Sequence, residues 1–66
     1  MRVIVNGDPV EIHEGATLYD LILSLAQNPE KLVSSVNDVI VRRKVYAETP
    51  VRDGDVIVLL AFVGGG

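Results

Sequence analysis

The sequence predicts a two-layer α+β domain, a mixed β-sheet with one main helix packed on one face. Three observations predict it. Two short alternating segments flank an Asn-Gly turn at the start of the chain. A single amphipathic helical segment follows, and the longest apolar run, residues 56–63, comes last and reads as a central strand.

The elements follow in order. Residues 1–6 read as a strand with Val3 and Val5 on one face and Arg2, Ile4 and Asn6 on the other. Asn6-Gly7-Asp8-Pro9 is a turn signal, and Val10-Glu11-Ile12-His13 alternates apolar and polar as a second strand should. Thr17 is placed to cap a helix over 17–27, with Asp20 three residues on as the reciprocal partner of a capping box. Leu18, Leu21, Ile22 and Leu25 then fall on one helical face, and Asn28-Pro29 is expected to close the helix. Residues 33–37 and 39–41 read as short strands around an Asn37-Asp38 turn. Residues 42–50 are polar and irregular, with one helical turn near Lys44–Ala47 and Tyr46 as a lid over the core edge. Asp53-Gly54-Asp55 is a tight turn needing a positive φ at glycine, and its paired aspartates read as turn residues rather than metal ligands.

Composition narrows the function. Sixty-six residues make one domain, expected as 1–63 with a flexible glycine tail, Gly64-Gly65-Gly66, at the C-terminus. A chain of this size buries roughly 60% of its unfolded surface. Without cysteine it has neither a disulfide nor a thiolate nucleophile, and the single His13 builds no metal site. The core is aliphatic, in keeping with 48% hydrophobic residues. A net charge of −3 argues against nucleic acid as partner. The short basic cluster Arg42-Arg43-Lys44 reads first as a solvated turn, with contact to an acidic protein partner as the sharper alternative. Neither a signal peptide nor a run of roughly 20 apolar residues is present, so a cytoplasmic chain away from membranes is expected.

The most compact arrangement sets the last strand beside the first, parallel and in the middle of the sheet, with the long connection holding the helix. That is the ubiquitin-like β-grasp. Val3, Val5, Ile57, Leu59 and Ala61 then face the helix, while Ile4, Val58, Leu60 and Phe62 share the outer face. With no second helix to cover them, these four form an apolar patch expected to bind a partner, unless residues 42–50 fold over it.

The whole chain resembles the ThiS family of sulfur carrier proteins, in the ThiS/MoaD ubiquitin-like superfamily. The resemblance rests on Asn6-Gly7, Gly15-Ala16-Thr17-Leu18, the run Val36-Asn37-Asp38-Val39-Ile40-Val41-Arg42-Arg43, Asp53-Gly54-Asp55, and the ending Phe62-Val63-Gly64-Gly65-Gly66. One departure is Arg42, where such proteins often carry proline. The resemblance implies a carrier rather than an enzyme, with no cofactor of its own. An E1-like, ThiF-type adenylyltransferase would use MgATP to adenylate Gly66. A persulfide donor would convert the adenylate to a thiocarboxylate, and a ThiG-type thiazole synthase would take the sulfur for thiamine biosynthesis. Gly64, Gly65 and Gly66 would enter the partner active sites. The same chemistry also serves a MoaD-like molybdopterin-synthase subunit, tRNA thiolation and cysteine synthesis. Two other classes stand beside it: a plain β-grasp protein-binding module with incidental glycines, and a small enzyme using His13 with Glu11 or Glu14.

Overall fold

The computed structural model describes residues 1–62; Val63 and the glycine run Gly64–Gly66 lie outside the described residues. The chain forms β1 (Arg2–Val5), β2 (Asp8–Glu11), α1 (Leu18–Ser24), β3 (Leu32–Val36), β4 (Val39–Val41) and β5 (Val56–Ala61), with 3-10 turns at Pro29–Lys31 and Arg43–Glu48. The five strands make one mixed sheet in the order β2-β1-β5-β3-β4. β1 and β5 are the parallel central pair, with Ile4 opposite Val56 and Val5 opposite Ile57. This is the β-grasp arrangement, with α1 across one face.

Local chemistry sets the turns. Asn6 and Gly7 both have positive φ, 50° and 89°, so these two residues make the whole hairpin turn and put Val5 opposite Asp8. Asp8-Pro9, expected in the turn, therefore belongs to β2. Proline is tolerated there because β2 is an edge strand and Pro9 opposes Ile4. Asn37 and Asp38 repeat the device between β3 and β4, at φ 50° and 69°. The capping box is present in both directions: the Thr17 N–H donates to Asp20 Oδ2 at 2.9 Å, and the Asp20 N–H donates to Thr17 Oγ1 at 3.2 Å.

The helix is shorter than expected. It ends at Ser24 with Leu25 as C-cap, because Ala26 turns left-handed at φ 58° and the Gln27 N–H reaches back to the Ile22 carbonyl. Asn28-Pro29 does not close α1. Asn28 instead caps the following 3-10 turn through its Oδ1, which accepts from the Glu30 N–H.

The core lies between α1 and the inner sheet face. Val3, Leu18, Leu21, Ile22 and Ile57 are fully buried, with Val5, Leu32 and Leu59 close to it. Tyr46 is not a lid: it is a core residue, 1% exposed, whose hydroxyl donates to the Leu32 carbonyl at 3.2 Å. It carries the 3-10 turn Arg43–Glu48 against α1, so this segment sits at the helix layer. Arg42 has φ −74°, an angle that a proline ring also adopts, so the departure at this position leaves the backbone geometry unchanged.

Candidate functional site

The site is the outer face of β5 and the point where that strand leaves the sheet. Strand alternation holds through the pairing. Ile57 and Leu59 face the helix, while Val56, Val58 and Leu60 face away beside Ile4. Ile4 and Val58 are half-buried between neighbouring strands, and Leu60 is 61% exposed. β5 ends at Ala61, two residues short of the expected Val63. Phe62 is half-buried, its N–H donates to the Lys31 carbonyl at 3.1 Å, and the Arg43 guanidinium carbon stands 5.6 Å from the ring centroid. The structure thus brings Ile4, Val58 and Leu60 onto one face with Phe62 at its margin, under an arginine. Gly64, Gly65 and Gly66, the expected working end, lie outside the described residues.

Sequence reasoning missed part of this surface. Val33 pairs with Leu60, and Ser35 stands between Val58 and Ile40, so Val33 and Ile40 share the outer face. They are 45% and 72% exposed. Their period-two spacing was visible, but placing them needed the register of β3 and β4 against β5, which is a long-range property.

Ala61 has inner-face parity but is exposed, because α1 stops before reaching it. A cleft of about 340 Å³ opens there, lined by Val5, Asn6, Leu25, Gln27, Leu32, Leu59 and Ala61. Asn6 bridges its wall. Its Oδ1 accepts from the Leu59 N–H at 2.9 Å, and its Nδ2 donates to the Leu59 carbonyl at 3.1 Å. The side chain continues the β1–β5 ladder one step beyond the backbone and holds β5 just before Leu60.

The remaining sequence candidates resolve structurally. Asp53 Oδ1 accepts from the Arg2 N–H at 2.7 Å, and Asp55 accepts from the Arg52 N–H and the Asn37 side chain. Gly54 has φ 86° and is the turn residue expected. Among the described residues no group of three or more His, Asp or Glu side chains gathers as a metal site would require. His13 and Glu14 are exposed, and Glu11 is held by Arg2 at 2.7 Å. That neighbour raises the Arg2 pKa, through its hydrogen bond first and its charge second. Asp20 sits below the usual carboxylate range, chiefly because the Thr17 backbone N–H bonds its charged form. Among the described residues no helix is long and apolar enough to cross a membrane.

A five-stranded mixed sheet, one helix and a bare apolar face on the last strand define a ubiquitin-like β-grasp protein. The model of the ThiS family matches residues 3–66, and the chain belongs to that family. It is 30% identical over 66 residues to the sulfur carrier protein ThiS of Escherichia coli, covering all of both chains. The crystal structure of thiamine biosynthesis protein ThiS from Geobacter metallireducens superposes with a TM-score of 0.84 at 30% identity, again over the whole of both chains. The chain is also 33% identical over 66 residues to a thiazole synthase of Magnetococcus marinus, in which it spans only 20% of the relative's length.

Proposed function

We propose that this protein is a sulfur carrier of thiamine biosynthesis whose Gly66 carboxylate becomes a thiocarboxylate. The observation that carries the reading is the apolar face of β5, where Val58 and Leu60 are covered by no element among the described residues and which leads in sequence directly into Gly64-Gly65-Gly66. A ThiF-type enzyme docks on Ile4, Val58, Leu60 and Phe62 and receives the tail. Burying such side chains contributes roughly 1.5–3 kcal/mol each, before the cost of ordering.

A terminal carboxylate has a pKa of about 3.5, so it is ionised and a poor electrophile at neutral pH. Transfer of AMP from MgATP, with release of pyrophosphate, supplies a leaving group. The outer sulfur of a persulfide then attacks the acyl carbon and expels AMP. Cleavage of the resulting S–S bond by a thiol leaves the thiocarboxylate on Gly66. The reaction asks no acid, base or thiol of the carrier. It asks for a backbone that approaches the nucleotide closely, and residues without a Cβ permit that. The acceptor is a ThiG-type thiazole synthase. The relatives named thiazole synthase, which contain a stretch similar to this chain, favour this acceptor over molybdopterin, tRNA or cysteine pathways. Such a carrier works in the cytoplasm and is not itself an enzyme.

The test is intact-mass spectrometry after incubation with the ThiF-type enzyme of the same cell, MgATP and a persulfide donor. Replacement of one terminal oxygen by sulfur is expected. An unchanged mass with an enzyme that modifies its own reference carrier would refute the proposal.

A further inference from the structure

Four of the six lysines and arginines, Lys31, Arg42, Arg43 and Lys44, gather where β5 leaves the sheet. The pairing places Lys31 and Arg42, the contacts of Arg43 place it beside them, and Lys44 follows Arg43 in the 3-10 turn Arg43–Glu48. Leu32 lies opposite Ala61, so Lys31 stands beside Phe62 and its carbonyl accepts the Phe62 N–H. Arg42 follows β4 directly, and Val41 pairs with Ser34 opposite Leu59. Arg43 reaches across both: an Nη1–H donates to the Glu30 carbonyl at 2.7 Å, and the guanidinium lies over the Phe62 ring. All four are exposed. None joins an ion pair within the described residues, where the one such pair is Arg2–Glu11 at the other end of the sheet. That other end also holds Asp38, Asp53 and Asp55 around the start of β5. The chain as a whole carries −3, so the cations are collected against its average.

We infer that this basic collar docks on an acidic protein surface beside the opening through which the modifying enzyme takes the tail. The inference rests on the carrier reading above and names the electrostatic half of its interface. Phe62 makes the link. Its ring ends the apolar row Val58–Leu60 and is at the same time the platform for Arg43. Apolar centre and charged margin are therefore one continuous surface, the anatomy of a protein interface. Arg43 is already held by a carbonyl and a ring, so little freedom is lost when it meets a carboxylate. Acidic protein is favoured over nucleic acid because the collar is small and the rest of the molecule repels polyanions.

Charges at the margin of an interface act on encounter rate and salt dependence more than on chemistry. The carrier's KM should therefore rise with ionic strength in the ThiF-type, MgATP-dependent reaction, read by pyrophosphate release, while kcat holds. Lys44→Glu should raise KM about tenfold at low salt and flatten the salt response. Arg52→Glu changes net charge equally but at the opposite end, and should move KM by less than about twofold. Equal effects of the two reversals, or a salt-independent wild-type KM, would overturn the collar while leaving the carrier intact. Wild-type protein that is never adenylated would instead bring down the carrier reading and the collar with it. Circular dichroism keeps folding out of the comparison, since both side chains are exposed and neither makes a side-chain hydrogen bond among the described residues.

Discussion

Asn6 offers the sharpest link between the fold and the strand that carries the site. Its side chain makes two hydrogen bonds to the backbone of Leu59, at 2.9 and 3.1 Å, while its own backbone is left-handed at φ 50°. Asn6→Gly keeps that backbone accessible and removes only the side-chain bonds. Each such bond is worth about 0.5–1.5 kcal/mol net, so the pair contributes about 1–3 kcal/mol. The cleft beside Asn6 lets water reach Leu59 in the variant, which places the expected loss near about 2 kcal/mol. In a domain this small about 1 kcal/mol moves Tm by about 4–8 °C, so the melting point should fall by about 8–16 °C. Asn6→Ala adds the cost of a side chain at positive φ, about 1 kcal/mol more. Urea unfolding of the three proteins measures both steps, and amide exchange should speed up at Leu59 and Leu60 in Asn6→Gly. An Asn6→Gly loss below about 0.5 kcal/mol would refute the assignment of the β5 clasp to this side chain. An alanine variant no worse than the glycine one would refute the φ argument.

Three more predictions address the face, the core and the helix cap. Leu60→Asp, at a position 61% exposed, should leave the fold in place and raise the KM for adenylation about tenfold or more, and Phe62→Asp should act in the same direction; adenylation at the wild-type rate would remove the patch from the interface. Ser34 is 1% exposed and its Oγ has no hydrogen-bond partner among the described residues, so Ser34→Ala should stabilise the protein by about 1 kcal/mol in urea, and a loss of stability would show that the hydroxyl is satisfied. Asp20 has a folded pKa below its ordinary 3.8, so its contribution to stability is complete above 3.8 and disappears as pH falls through the lowered value. The stability gap between wild type and Asp20→Ala should accordingly be flat near neutrality and narrow in acid, and a gap that widens in acid would contradict the capping-box assignment.

The parts legible in the sequence were those fixed by neighbouring residues. Asn6-Gly7, Asn37-Asp38 and Gly54 announced turns because few side chains accept a positive φ, and Thr17 with Asp20 announced the helix start. The parts that were not legible depend on distant contacts. α1 stops at Ser24 although Ala26 is an ordinary helix former, since no glycine marks the left-handed residue there. Tyr46 sits in a polar stretch, and only the pocket between α1 and β3 makes it a core residue. The parity of β5 followed from period two, whereas the width of the face, out to Val33 and Ile40, followed from a register that no local pattern encodes.

A bare sheet face is in itself a consequence of chain length. One α-helix of seven residues covers one side of five strands, and among the described residues there is no second α-helix to cover the other. Exposure alone therefore carries no functional weight, and the informative quantity is how polarity is distributed over the face. A merely solvated face would be polar throughout. Here Arg2 and Glu11, cross-strand partners on the β1–β2 side, form an exposed ion pair. Pro9 and Ile4 follow, and from there the outer positions are Val56, Val58, Leu60, Val33 and Ile40, interrupted by Ser35 alone. A surface ion pair adds little stability, so Arg2 and Glu11 chiefly keep their margin wet. The apolar positions gain nothing for the isolated fold by pointing into water. The gradient rises toward the end of β5, where the collar of cations begins and the glycines follow. On the carrier function proposed above, a partner that reads both the apolar gradient and the cations is oriented by them, and the expected orientation is the one that presents the tail to it.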